Sequence, residues 1–174
     1  MQSLKYSGEE GIEDFDAEFE GKPIFRKYIY EGQMGRNEMN ISRIVKKNPH
    51  PNIAVIYEFG PDYIDMELLK TNVTLPKIKP FIPALRDAKN FLHSLGIVYL
   101  DWKLNNLGLS SEGVVKIFDF DMSSMFVKDR FTEGPGTKGF FWRAAEFEGL
   151  KSPIKIDDWI FNQMIRERES AFRH

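Results

Sequence analysis

The chain has 174 residues, a formal net charge of −2 and no cysteine. That length supports one core or two small packed lobes, and 42% hydrophobic with 14% aromatic residues excludes a disordered chain. The near-neutral charge gives no whole-protein attraction to nucleic acid or an anionic membrane, and the lack of cysteine removes disulfide, thiolate and zinc-thiolate chemistry. No apolar run approaches the roughly 18 residues needed to span a bilayer, and the start MQSLKYSGEE has neither the charged nor the apolar region of a signal peptide. A cytoplasmic protein without nucleic-acid or membrane partners is expected.

The first twenty residues are rich in acids, with Phe15 and Phe19 among them, and Gly21 and Pro23 close the stretch as strands joined by a turn would. Ile24 to Tyr30 has the aromatic and β-branched density of a strand, with Glu31-Gly32 as its exit. Arg36 to Lys47 carries Met39, Ile41, Ile44 and Val45 near helical spacing, and Pro49-His-Pro51 stops it. Ile53 to Phe59 and Tyr63 to Leu69 read as strands around the turn Gly60-Pro61-Asp62. Past a Pro-punctuated connector, Leu75 to Pro80, the apolar positions Leu85, Ala88, Phe91, Leu92 and Leu95 form the stripe of a packed helix from Phe81 to Leu95, capped by Gly96. Short strands around the Asp101 loop and the Gly113 turn follow, and Met122 to Gly139 lacks periodicity, as a mobile loop does. A last helix is expected from Ile156 to about Arg168, burying Trp159, Ile160, Met164 and Ile165.

The stretch Val98 to Phe120, VYLDWKLNNLGLSSEGVVKIFDF, concentrates the chemistry. Asp101 is followed by Lys103 and Asn106, and the apolar run Val114 to Phe118 delivers Asp119 in Asp-Phe-Asp. Alone, an Asp and an Asn at this separation are ordinary turn residues. Here the loop also follows a helix ending His-Ser-Leu-Gly-Ile-Val. In this combination the chain resembles the eukaryotic protein kinases, with the catalytic loop His-Arg-Asp-x-Lys-x-x-Asn and the metal motif Asp-Phe-Gly. The resemblance implies that Asp101 orients the acceptor hydroxyl and takes its proton, that Lys103 touches the transferring phosphate, and that Asn106 and Asp119 hold Mg2+ or Mn2+ beside ATP. Such transfer needs positioning and charge neutralisation more than covalent chemistry.

Further matches follow in order. Lys27 in Ile-Phe-Arg-Lys resembles the strand lysine that pairs with the ATP phosphates and a helix acid, here Glu38. Met66, Glu67 and Leu68 resemble the gatekeeper and adenine-binding hinge, with Met66 as gatekeeper, and Gly8 and Gly11 the last two glycines of the loop over the phosphates. Asp157-Asp-Trp159 resembles the opening of the central helix, whose Asp braces the catalytic loop. Gly136-Thr137 and Trp142-Arg-Ala-Ala-Glu146 look like the end of an activation segment. The resemblance also shows departures. Tyr6 stands at the first loop glycine among acids that disfavour a triphosphate, Phe25 at the small residue packing on adenine, Tyr99 at the loop His, Leu100 at the loop Arg, and Asp121 at the motif glycine.

The expected fold is α+β, protein-kinase-like and two-lobed, with a reduced N-lobe (residues 1–69) and a C-lobe (70–174) truncated after the central helix. The implied function is ATP-dependent phosphorylation of Ser or Thr hydroxyls on protein substrates, since Lys103 is typical of serine/threonine kinases, and Leu100 implies constitutive activity. The alternative is a pseudokinase that engages a kinase or its substrate without phosphoryl transfer. A small-molecule phosphotransferase is disfavoured by Lys103. A protein partner or homodimer would complete the shortened lobe through a surface around Phe140, Phe141, Ile160 and Met164. The compactness is similar to that of virus-coded kinases, implying an intracellular, host-cell setting.

Overall fold

The computed structural model describes residues 18–139 and 148–171. Gly8, Gly11, Phe140, Phe141, Trp142 and Glu146 lie outside the described residues. A four-stranded antiparallel sheet, in the order β1-β2-β4-β3, is built from β1 (Glu18–Phe19), β2 (Lys22–Tyr28), β3 (Ile56–Phe59) and β4 (Tyr63–Glu67). Glu20 and Gly21, at φ 52° and 79°, make the two-residue turn between β1 and β2 with the twist that strands require. In the β2–β4 register Arg26 stands opposite Asp65, and its guanidinium grips that buried carboxylate through two bonds of 2.7 and 2.9 Å. Side chains alternate along a strand, so this pair commits Phe25 and Lys27 to the other face.

Helix α1 (Gln33–Lys47) begins almost at once after β2, burying Glu38, Met39, Ile41, Ser42 and Val45 along one side. Two glycines permit the tight entry. Gly32 adopts φ 120°, and a Cβ on Gly35 would stand 1.9 Å from the Tyr30 carbonyl oxygen. At the far end the Asn48 amide donates to the Ile44 carbonyl at 2.9 Å, and Pro49 follows.

The expected connector over 75–80 is helical instead: α2 (Leu75–Ile78) runs into a 3-10 turn (Lys79–Phe81) and then α3 (Ile82–Ser94). Pro80 and Pro83 sit in the first turns of their segments, where a missing N–H breaks no helical bond. Leu85, Ala88 and Leu92 are buried along α3, and Gly96, at φ 76°, ends it.

Short strands β5 (Ile97–Val98), β6 (Leu107–Leu109) and β7 (Val115–Ile117) carry the polypeptide around the candidate site. Ile53 bridges to Ile117 and Lys70 to Leu109, tying the first sheet to the β6–β7 pair. The stretch 122–139, expected as a mobile loop, holds β8 (Ser124–Val127), β9 (Arg130–Glu133) and a 3-10 turn (Pro135–Lys138). Backbone pairing of β8 with β5 and the cross-strand neighbours Phe126 and Phe131 organise it without an alternating pattern.

Helix α4 (Pro153–Ala171) buries Ile156, Asp157, Ile160, Phe161 and Met164, with Trp159 and Ile165 partly buried. Ile160 and Met164 therefore cannot form the open interface expected of them, being 0 and 4% exposed. Their side of α4 joins the core, where Phe161 packs edge-on against Trp102 at 4.9 Å. Among the described residues no helix is long and apolar enough to cross a membrane.

Candidate active site

Asp101 lies in the loop between β5 and β6, between two residues bonded to one carboxylate. The Leu100 N–H and the Trp102 indole N–H each donate to Asp157 Oδ1 at 2.8 Å. Asp157 is fully buried on α4, and its Oδ2 meets His93 Nε2 at 2.6 Å and the Tyr99 N–H at 3.3 Å. Four polar partners thus surround a carboxylate that would otherwise be costly to bury. They also hold Leu100 at φ 67°, a left-handed conformation a branched residue adopts only when its surroundings enforce it. The bracing expected of Asp157 is present; the contributions of Trp102 and His93 were not foreseen. A tryptophan between two charged loop residues is the sequence signal that would have found the former.

Inside the loop the Asn106 side-chain amide donates to Asp101 Oδ2 at 2.8 Å and to the Asp101 carbonyl at 2.9 Å. The loop therefore folds back on itself, and the Asn106 amide oxygen is not the atom used in these contacts. Lys103 Nζ is 3.7 Å from Asp101 Oδ1, with half of its side chain exposed.

Strand β7 delivers Asp119, itself at φ 68°. The buried Tyr99 hydroxyl donates to the Phe118 carbonyl next to it, and burial holds that phenol well above its ordinary pKa. Tyr99 thus has the structural part expected of it. The Asp121 N–H donates to Asp119 Oδ1 at 3.2 Å. Positive φ falls on Asp119 and not on Asp121, so this turn does not need the conformational freedom of a glycine at 121.

Lys27 joins the two halves of the site. Its ammonium is 2.6 Å from Glu38 Oε2 on α1 and 2.9 Å from Asp119 Oδ1. The eleven-residue separation of Lys27 and Glu38, short for a strand, a turn and a helix, closes because of the glycine-enabled entry into α1. Burial alone would lower the Lys27 pKa, but Asp119 and Glu38 outweigh it and hold the ammonium above the ordinary lysine range. Burial opposes ionisation of Asp119 as well, yet Lys27 holds that carboxyl below its usual value. Glu38 is pushed up by burial against the pull of Lys27.

Asp101, Asp119 and Asp121 each offer a carboxylate oxygen within 4.8 Å of the others. This donor set suits a hard divalent cation. Burial and the neighbouring Asp119 charge push the Asp121 carboxyl up to about 7, and among the described residues its buried Oδ1 has no hydrogen-bond partner.

On the expected nucleotide side, Met66 is buried opposite Phe25 in the β2–β4 register. Phe25 shares the Lys27 face and packs against the core. The Glu67 carboxylate accepts from Lys116 Nζ at 2.8 and 3.1 Å and from the Val55 N–H at 3.0 Å, tying β4 to the strand that delivers Asp119. Leu68 is exposed.

The protein kinase domain model matches residues 30–151, more than half of the sequence, and the chain belongs to that family. Its α+β architecture is accordingly the protein-kinase-like fold. It is similar to mouse protein kinase C delta type (Mus musculus), 39% identical over 80 residues, which are 44% of this chain and 12% of that protein. It is 32% identical over 108 residues to CBL-interacting protein kinase 24 of Oryza sativa subsp. japonica, covering 53% of this chain and 23% of the relative. With mitogen-activated protein kinase kinase 9 of Arabidopsis thaliana it shares 33% identity over 115 residues, 61% of this chain and 37% of that one. The chain thus spans well under half the length of each of these relatives.

Proposed function

We propose that this domain transfers the terminal phosphoryl group of ATP to Ser or Thr hydroxyls of protein substrates. The observation that carries this reading is Lys27 bonded to both Glu38 and Asp119 while Asn106 holds Asp101. Asp101 accepts the proton of the attacking hydroxyl, and Lys103, exposed beside it, meets the transferring phosphate. Lys27 anchors the inner phosphates, with Glu38 fixing its position. Asp119 and Asn106 would hold the Mg2+ or Mn2+ that neutralises phosphate charge, with the Asp121 carboxylate close enough to Asp119 to assist. Met66 and the Glu67–Leu68 backbone would receive the adenine. Protein substrates are the partners this chemistry requires.

A second reading, a pseudokinase that binds without transfer, is favoured by the Phe25 ring on the Lys27 face. Labelled ATP, magnesium or manganese and a generic basic protein decide between them, with Asp101→Asn and Asp119→Asn in parallel. Transfer by the wild type that both variants lose supports the enzyme; equal label in all three overturns it. A thermal-shift titration with ATP and metal then separates a nucleotide-binding pseudokinase from a protein that binds no nucleotide, because ligand binding to the native state raises stability.

A further inference from the structure

Asn37 is polar, 7% exposed, and stands beside Glu38 on the buried side of α1. Its side-chain N–H donates at 2.8 Å to the Ser123 carbonyl, which lies just beyond the Asp119–Asp121 turn. Ser123 is itself completely buried; its hydroxyl donates to the Tyr99 carbonyl at 3.2 Å, and its N–H to the Phe120 carbonyl at 3.1 Å. Tyr99 in turn is bonded through its N–H to Asp157. A continuous hydrogen-bonded line therefore runs from α1, through the segment after Asp119, to the catalytic loop and α4.

We infer that Asn37 is a positioning residue: it latches α1 to the Asp119 segment so that Glu38, Lys27 and Asp119 stay assembled without nucleotide or phosphorylation. Three features carry this. The Lys27 ion pairs are partly solvated, with 21% of the lysine side chain exposed, and are weakened by water and salt. The Asn37–Ser123 bond is buried and neutral, so neither salt nor phosphate competes for it. It also joins neighbours of the groups that must meet, Asn37 beside Glu38 and Ser123 two residues after Asp121. Breaking it leaves a buried carbonyl without its donor and frees α1 to shift relative to Asp119. The catalytic consequence rests on the phosphotransfer reading; the latch itself does not.

The test compares Asn37→Leu, with the same number and branching of non-hydrogen atoms but unable to donate, with Asn48→Ala, which removes the amide bond at the end of the same helix. Hydrogen exchange reads the latch without activity. In Asn37→Leu, amides of residues 119–126 exchange about ten-fold faster, as a loss of about 1.4 kcal/mol of local protection gives, while the β2–β4 amides are unchanged. Asn48→Ala leaves the 119–126 segment protected. Unchanged protection of 119–126 in Asn37→Leu overturns the latch. In phosphotransfer, Asn37→Leu lowers kcat about ten-fold, Asn48→Ala does not, and Asn37→Ser recovers part of the loss. Wild-type activity in Asn37→Leu, with faster exchange, overturns the positioning role. An inactive wild type with the exchange response intact overturns the phosphotransfer reading and leaves the latch standing.

Discussion

The Lys27 ammonium and the Asp119 carboxylate are 2.9 Å apart although 92 residues separate them in sequence. With Glu38 on its other side, Lys27 places its positive charge between two carboxylates that would otherwise repel each other. Replacing it by methionine leaves both acids partly buried and unpaired. The expected outcome is a loss of about 3 kcal/mol in stability and of at least about a hundred-fold in phosphotransfer. Urea unfolding and labelled-phosphate transfer check the two parts, and charge removal predicts that Lys27→Met unfolds more readily than Glu38→Gln.

Asp157 is a different case, since its partners include two backbone N–H groups that no side-chain substitution removes. Asp157→Ala strands these, the Trp102 indole N–H and His93 in a water-excluded place. A loss of about 3 to 5 kcal/mol is expected. Asp157→Asn keeps the volume and one acceptor, and is expected to lose about half as much. The measurement is the denaturation midpoint. Relaxation of Leu100 out of its left-handed conformation would show as a shifted Leu100 amide resonance.

These two relationships mark how far the sequence was legible. The Asp101 loop and Asp119 motif carried the family resemblance, because a turn, a short strand and a delivered acid recur there at fixed local separations, although an Asp and an Asn alone read as turn residues. Lys27, Glu38 and Asp157 were readable only through family order, since nothing local says where their side chains meet. Asn37 was illegible, because its partner is a backbone carbonyl 86 residues away and an asparagine on a helix looks solvated. The β8–β9 hairpin was missed for a related reason. Its order comes from backbone pairing to β5, while Val127 is exposed and Lys128, at φ 54°, takes the turn without glycine.

Gly35 sets the position of α1. A methyl group there would approach the Tyr30 carbonyl oxygen to 1.9 Å and the Ile29 side chain to 2.9 Å, so backbone must move. Gly35→Ala is expected to destabilise by about 2 kcal/mol, although alanine is otherwise the better helix former. If α1 moves away as a unit, Glu38 leaves Lys27, and phosphotransfer falls at temperatures where the domain remains folded. Far-ultraviolet circular dichroism, which reads helix content, should stay unchanged while the activity drops.

Asp121 gives the site a pH dependence of definite sign. Burial first and the Asp119 charge second push its carboxyl from 3.8 up to about 7 in the folded protein. The native state therefore binds a proton more tightly than the unfolded chain, and this contribution to stability is fully present below about pH 3.8 and lost as pH rises through about 7. Asp119 acts the other way: its pKa is lowered, so its stabilisation is present at neutral pH and disappears in acid. Asp121→Asn isolates the first effect, since the amide mimics the protonated acid. With a chelator present, the variant should be more stable than the wild type at pH 8 by about 2 kcal/mol, the exposed part of the group being screened by water. The two should converge near pH 4. Urea midpoints across that range read the difference, and a gap that stays constant with pH would show that Asp121 is ionised throughout.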